Sequence, residues 1–202
     1  MTTAKDLFII ALDLGSKHSV GQGDLSLALA GAELVDLIGA RAVALDGDRI
    51  VPAEQGQPAD DHLLGEASAA LTRQAPHERV EDWLWRRGRD LAASYQAALE
   101  ESGELTREHR GRLSFGAERL ELADTPSRRR ALNRWEAEEP VLVALAAAVG
   151  IPGEQTEDEP APDDEAVTTV LAVVNDAVME LEAVRQRRSI ESSAFANVWR
   201  AP

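Results

Sequence analysis

The 202-residue chain contains no cysteine. This absence excludes disulfide bonds, thiolate metal ligands and cysteine nucleophiles, and it fits a reducing cytoplasm. Long apolar runs are also missing: the run at residues 7–12 ends at Asp13 and is shorter than the apolar region of a signal peptide. No run approaches the roughly 20 residues that a membrane-spanning helix needs. We therefore expect a soluble, cytoplasmic protein.

Basic residues are scarce, since 21 lysines and arginines stand against 36 aspartates and glutamates, giving a formal charge of −15. This balance argues against nucleic-acid binding and against polybasic membrane binding. Residues 152–165 are acidic and rich in proline, and no basic residue lies among them. Such a composition predicts a mobile, solvated loop. The remaining acids are spread among basic clusters, so a local positive face is still permitted.

The motifs of common catalytic sites are missing as well. The sequence has no G-x-S-x-G, no H-E-x-x-H and no phosphate-binding Gly-Lys-Ser/Thr loop. Its four histidines, His18, His62, His77 and His109, form no i, i+4 pair. A metal site needs partner ligands at fixed spacing. We therefore expect no catalytic residue, no bound metal and no cofactor, and a protein that is not an enzyme.

The most informative segment is residues 24–45, DLSLALAGAELVDLIGARAVAL. Its apolar residues recur at helical spacing and cover both sides of the predicted helix, which indicates burial nearly all round. Only Ser26, Glu33 and Asp36 are predicted to look outward. We expect Glu33 and Asp36 to pair with Arg41 or to cap a neighbouring element, with acid–base chemistry as the alternative.

The other elements are mainly helical. A second buried helix is predicted over residues 141–149, and a long amphipathic helix over 167–184 precedes a short one over 192–200. Shorter helices are predicted over 63–71, 80–87 and 90–102 and after Thr125-Pro126. Alternating apolar residues predict β-hairpins over 42–51, turning at 46–48, and over 112–123, turning at 116–118. Together these elements predict a mainly α fold: a single compact helical domain, residues 1–202, around buried central helices, with two small β-hairpins.

Four stretches, in order, resemble the Golgi phosphoprotein 3 family of phosphatidylinositol 4-phosphate effectors, which includes bacterial members. Residues 29–37, LAGAELVDL, are similar to the family's L-x-G-x-x-L-x-E/D-L helix. The family's P-x-G-D-x-L-L-D-E-A, V-x-x-W-I/L and L-V-E-K-G-V-L stretches resemble residues 58–67, 80–84 and 99–105 here, PADDHLLGEA, VEDWL and LEESGEL. The resemblance runs colinearly from about residue 6 to about residue 151 and more loosely to the end.

This resemblance implies recognition of a phosphorylated inositol headgroup at a membrane surface. Several arginine donors must then converge on phosphate, because bidentate guanidinium contacts hold it strongly. The family's donors resemble an R-G step in the buried helix and an R-x-x-R pair, and a loop tryptophan adds a membrane-adjacent side chain. Here the step reads Ala30-Gly31, the pair reads RDLA over residues 89–92, and Gly21 lies near the tryptophan position. Of the four family residues, this chain therefore keeps one, Arg89.

Replacement donors are available near Arg89. Arg86 and Arg87 lie close to it in sequence, while Lys17 and His18 occupy the loop that borders the family's pocket. These five residues are our candidate headgroup-binding set, and a solvated basic face is the alternative interpretation. Trp83 fits a core stripe, whereas Trp85, beside two arginines, could lie at an interface.

Three functions follow as hypotheses. The first is a non-enzymatic peripheral adaptor that binds an anionic lipid headgroup with altered or weak selectivity. The second is a protein-interaction module that kept the scaffold, lost lipid binding, and uses the basic clusters or the acidic loop for a protein partner. The third is small-molecule or hydrolytic chemistry in a cleft near Glu33, Asp36 and Arg89. The resemblance also associates the hairpin over 112–123 with self-association, which would make a homo-oligomer.

Overall fold

The structure, a computed structural model, describes residues 2–15, 20–53, 61–108, 119–153 and 164–198, with side chains described up to residue 191. Eight helices and two antiparallel two-stranded sheets lie within these ranges. The helices are α1 (Thr3–Gly15), α2 (Gln22–Gly39), α3 (His62–Ala69), α4 (Val80–Arg87), α5 (Leu91–Glu101), α6 (Pro126–Glu136), α7 (Pro140–Ala148) and α8 (Glu165–Val198). The strands are β1 (Val43–Asp46), β2 (Arg49–Pro52), β3 (Leu105–Glu108) and β4 (Arg119–Leu122). The predicted mainly α fold is confirmed.

Helix α2 lies at the centre of the fold. It is buried at every position from Leu25 to Val35 and packs against α1, α3, α4, α5, α7 and α8. Gly31 lets α8 approach closely, because a Cβ at this position would lie only 2.3 Å from Cγ2 of Val174. Apolar side chains from all eight helices join the same core cluster as α2. The predicted all-round burial of this helix is therefore confirmed.

Two of the three polar residues predicted to look outward from α2 are buried instead. Ser26 is 5% exposed and Glu33 is fully buried. The Ser26 hydroxyl accepts a hydrogen bond from the backbone N–H of Ala92 at 3.0 Å, and Glu33 is bound by Arg87. Periodicity alone cannot place these residues, since a buried polar side chain is stable when a neighbouring element supplies its partner.

Asp36 caps a neighbouring helix, as expected. Its carboxylate accepts hydrogen bonds from the backbone N–H groups of Thr3, at 2.9 Å, and Ala4, at 3.2 Å. These groups belong to the first turn of α1, whose N–H groups have no partner within the helix. The cap therefore fixes the start of α1 against the end of α2. Arg41, the alternative partner for Asp36 and Glu33, bonds to neither of them.

The first hairpin forms where it was predicted. Strands β1 and β2 pair with Asp46 opposite Arg49, so that Gly47 and Asp48 make a two-residue turn. Gly47 has a φ of 59°, a left-handed conformation that glycine adopts without steric cost. The start of α4 is joined to this hairpin, since Val80 donates its backbone N–H to the Asp48 carbonyl at 2.8 Å.

The second hairpin differs from the prediction in its partner strand. Strand β4 falls within the predicted range of 112–123, but it pairs with β3, and Leu122 lies opposite Leu105. Burial explains this choice, because Leu105 is only 2% exposed and Leu122 packs against the same core. Residues 109–118, which include the predicted turn and first strand, lie outside the described residues.

Helices α7 and α8 complete the core. In α7, Leu142, Val143, Leu145 and Ala146 are buried, while the other residues of 141–149 are buried or half-buried and none is fully exposed. Helix α8 is continuous to Val198, so the predicted break before residue 192 is wrong; the segment from 165 to 198 contains no glycine or proline that would end it. The side chains of 192–200 and most of the predicted acidic loop, residues 154–163, lie outside the described residues. In the described part of the chain, none of the helices combines the length and apolarity needed to cross a membrane.

Candidate functional site

The turn between α4 and α5 positions the candidate site. Gly88 approaches α2 so closely that an added Cβ would lie 3.1 Å from the carbonyl oxygen of Ser26. Asp90 has a φ of 57°, and α5 begins at the next residue. A left-handed residue cannot continue a right-handed helix, so the chain changes direction between α4 and α5. Arg89, between these two residues, is consequently exposed at the corner of the turn.

Arg89 lines an open cavity of about 300 Å³. The first turns of α2 and α5 form two of its walls, and Leu181 of α8 forms a third. Trp85 of α4 also lines the cavity and is 36% exposed. The cavity therefore combines an apolar wall, made by Trp85, Leu181 and Leu27, with a guanidinium group at one side.

The Arg89 side chain has no hydrogen-bond or ion-pair partner within the described ranges. The amino-terminal turn of α2, which lines the same cavity, carries no side-chain cap, because its N-cap residue is Gly21. Unpaired backbone N–H groups and the helix dipole favour negative charge at such a turn. Both features suit an anionic group, while Asp90 beside Arg89 opposes one.

Arg86 is bound elsewhere. Its Nε and Nη2 atoms each donate to the Glu78 carboxylate at 2.7 Å, and its guanidinium stacks on Trp83, 5.2 Å from the ring centroid. Nη2 also donates to the Ala70 carbonyl at 3.2 Å. Arg86 thus ties α4 to the segment after α3, and it does not line the Arg89 cavity.

Arg87 points into the protein. Its Nε and Nη2 atoms donate to the two oxygens of Glu33 at 2.8 and 2.9 Å, and Nη2 also reaches the Leu63 carbonyl at 3.2 Å. Among the described members of the predicted basic set, Arg89 lines the cavity, whereas Arg86 and Arg87 hold acids. Lys17 and His18 lie outside the described residues.

Glu33 and Asp36 are structural carboxylates. Burial raises the pKa of Glu33, and the hydrogen bonds from Arg87 and from the Tyr95 hydroxyl, at 3.2 Å, oppose that rise. Burial also raises the pKa of Asp36 against its two backbone hydrogen bonds from α1. Burial and the nearby Glu33 charge raise the pKa of Tyr95 well above its ordinary value. Neither carboxylate lines the Arg89 cavity, so this cavity does not join Glu33 and Asp36 to Arg89 as the hypothesis of hydrolytic chemistry requires.

Two positions of the family pattern lie in the interior. Ala30, at the place of the helix arginine, is fully buried, and its carbonyl accepts a hydrogen bond from Nε1 of Trp83 at 3.1 Å. Ala92, at the place of the second arginine of the pair, is 4% exposed. Of the three arginines in the family pattern, this chain keeps the one at position 89. Among the described residues, no group of three or more histidine, aspartate or glutamate side chains is arranged to hold a metal ion.

Sequence reasoning missed the wall contributed by α8. Leu181 belongs to the apolar stripe of this helix, but the stripe does not say which element it meets. The contact depends on Gly23, where an added Cβ would lie 2.9 Å from Cδ2 of Leu181. The only available signal was the pair of glycines at positions 21 and 23, which allow close approach by another helix.

Comparison with known proteins gives one family. No individual curated protein matches the chain. The family model described as Golgi phosphoprotein 3 (GPP34) matches residues 4–189, a range that contains all the residues lining the Arg89 cavity. The match spans most of the 202 residues and includes all four stretches on which the resemblance was based. The chain belongs to the Golgi phosphoprotein 3 (GPP34) family.

Proposed function

We propose that this protein is a non-enzymatic peripheral membrane adaptor that takes the phosphate-bearing headgroup of an anionic lipid into the Arg89 cavity. The observation that carries the proposal is the unpartnered Arg89 guanidinium in a cavity of about 300 Å³. Small-molecule sites begin at roughly this volume. Family membership directs the proposal to a phosphoinositide, with phosphatidylinositol 4-phosphate as the first candidate.

The cavity offers complementary chemistry for such a ligand. The Arg89 fork can donate two parallel hydrogen bonds to a phosphate, which is the strongest arrangement for this pair. Trp85, half-exposed at the same cavity, is an aromatic side chain suited to the membrane–water boundary. A headgroup bound at Arg89 would therefore bring Trp85 towards the lipid.

Affinity should be modest. One arginine replaces a set of converging arginines, and Asp90 adds a negative charge next to it. The formal charge of −15 repels an anionic bilayer at long range, although salt screens this repulsion beyond about 10 Å. Binding must then depend on contacts within the cavity, so it should respond strongly to the loss of Arg89.

Vesicle flotation tests the proposal. We expect the protein to float with phosphatidylcholine vesicles that contain phosphatidylinositol 4-phosphate. Arg89→Ala should lower the affinity for these vesicles about tenfold or more. Arg129→Ala is the matched control, because Arg129 is an exposed arginine on α6 paired with the exposed Asp124. Equal flotation of Arg89→Ala and the wild type would contradict the assigned cavity.

A second function is supported by the state of the other arginines. Arg86 and Arg87 are neutralised by Glu78 and Glu33, which leaves a weakly positive site on a very acidic protein. Exposed arginine and tryptophan side chains are also frequent anchors in protein interfaces. If the wild type binds no anionic vesicle, then the face formed by Trp85 and Arg89 is better explained as a site for a protein partner.

A further inference from the structure

A second guanidinium lies beside Gly23, one of the residues that line the Arg89 cavity. Nη2 of Arg185, on α8, is 3.1 Å from the position that a Cβ on Gly23 would take and 3.2 Å from that of Gly21. Gly23 lines the cavity, and so does Leu181, which precedes Arg185 by about one turn of α8. The Arg185 guanidinium therefore lies against the amino-terminal turn of α2, where that turn meets the cavity wall.

Asp24 holds this guanidinium in place. Nη1 of Arg185 donates to Oδ2 of Asp24 at 2.7 Å and, less directly, to Oε2 of Glu182 at 3.4 Å. The Asp24 side chain is 13% exposed and that of Arg185 is 39% exposed. Both contacts use Nη1, so Nη2, the nitrogen next to Gly21 and Gly23, keeps its donors available among the described residues.

We propose that Arg185 is a second phosphate-binding residue of the cavity and that Asp24 is the counter-ion that occupies it before the ligand binds. This inference rests on the proposed headgroup function, because it needs an anion beside Arg89. Ala30 and Ala92 stand where the family pattern has arginines. Under this proposal, the positive charge lost at those two positions is supplied by Arg185 of α8. Gly21 and Gly23 are needed for this arrangement, because a Cβ at position 21 would clash with the Asp24 carboxylate and one at position 23 with Leu181, and either would crowd the guanidinium.

Asp24 and Arg185 then have opposite effects on the ligand. An incoming phosphate competes with the Asp24 carboxylate for the Arg185 donors, and Asp24 also repels the phosphate. Removing the Asp24 charge should strengthen binding, whereas removing Arg185 should weaken it. If the pair only tied α8 to α2, breaking it from either side would change binding in the same direction. The sign of the two effects therefore separates a ligand-binding role from a purely structural one.

The test is titration calorimetry of the full chain with the soluble headgroup glycerophosphoinositol 4-phosphate at constant ionic strength. We expect Arg185→Gln to raise Kd about fivefold to tenfold and Asp24→Asn to lower it about threefold. Arg185→Lys keeps the charge without the fork and should fall between Arg185→Gln and the wild type. Arg188→Gln, an equal charge loss at an exposed position of α8, should stay within about twofold of the wild type.

The possible results are distinct. Unchanged Kd in both Arg185 variants, with binding still lost in Arg89→Ala, would overturn the role of Arg185 and leave the Arg89 proposal standing. Equal weakening by Arg185→Gln and Asp24→Asn would overturn it in favour of a structural tie between α2 and α8. No binding by the wild type would overturn both proposals together. Thermal unfolding of each variant shows whether it is folded. If Arg185→Gln is not, the Kd of Arg185→Lys relative to the wild type decides whether Arg185 binds the phosphate.

Discussion

Glu33 of α2 and Arg87 of α4 form a two-bond ion pair in the interior, with Nε to Oε2 at 2.8 Å and Nη2 to Oε1 at 2.9 Å. The Glu33 side chain is fully buried and that of Arg87 is 14% exposed. The preceding residue, Arg86, pairs instead with Glu78 and is 45% exposed. Two neighbouring arginines thus lie in different environments. Arg89, two residues after the end of α4, lines the cavity.

This difference predicts unequal effects of the same substitution. Arg87→Met leaves Glu33 buried without its cation and should cost about 3–5 kcal/mol of unfolding free energy. Arg86→Met removes a pair whose arginine is 45% exposed, so it should cost clearly less, about 1 kcal/mol. Urea denaturation of both variants measures the difference. Similar costs for the two variants would mean that Glu33 is not dependent on Arg87.

The Glu33 pair also predicts a pH dependence. Because burial raises the pKa of Glu33 in the folded protein above its ordinary value of 4.5, the protonated form is favoured by folding. The stability that this group contributes is therefore fully present below about pH 4.5 and is lost as the pH rises through the folded pKa. Glu33→Gln cannot titrate, so the wild-type advantage over it should shrink across that range. Denaturant titrations of both proteins at several pH values measure this trend, which would be absent or reversed if Arg87 held the folded pKa at or below 4.5.

Close packing of α2 and α8 predicts a cost at Gly31. An added Cβ would lie 2.3 Å from Cγ2 of Val174, so Gly31→Ala should lose about 1–3 kcal/mol through overpacking. Val174→Ala in the same chain should recover part of that loss. Gly65→Ala is the control, since nothing lies within 4 Å of its Cβ position and alanine favours a helix over glycine by about 0.5–1 kcal/mol. Equal thermal shifts at positions 31 and 65 would refute the close contact.

Local signals predict much of this fold. The limits of α4 follow from its apolar spacing, Asp61 caps α3 by accepting a hydrogen bond from Leu64, and Gly103 takes a left-handed φ of 72° after α5. Each of these features is decided by residues within a few positions of one another. Segments with one clear period and a clear end signal are therefore predictable from the sequence.

Long-range contacts explain what the sequence could not predict. Ser26 and Glu33 are buried because their partners, Ala92 and Arg87, arrive from positions 66 and 54 residues away. Strand β4 pairs with β3 because Leu105 completes the core beside α5. In each case the deciding residue lies on another element, where no local pattern reports it.

The candidate site divides in the same way. Arg89 could be predicted because it matches the first residue of a family motif, and the structure places it at a cavity. Whether Arg86 and Arg87 were free depended on Glu78 and Glu33, which only the folded chain brings next to them. Arg185 comes to lie beside Gly23 through the packing of α8 on α2, so sequence spacing gave no indication of it.

The most direct test of the central claim is an NMR titration of the wild-type protein with glycerophosphoinositol 4-phosphate, observing the arginine side-chain N–H groups. We predict that the Arg89 Nε–H signal and the backbone amide of Gly23 shift in a saturable way, while the Arg86 and Arg87 side-chain signals, held by their carboxylates, stay in place. Shifts confined to other arginines, or none at any ligand concentration, would contradict the claim that the Arg89 cavity receives the headgroup phosphate.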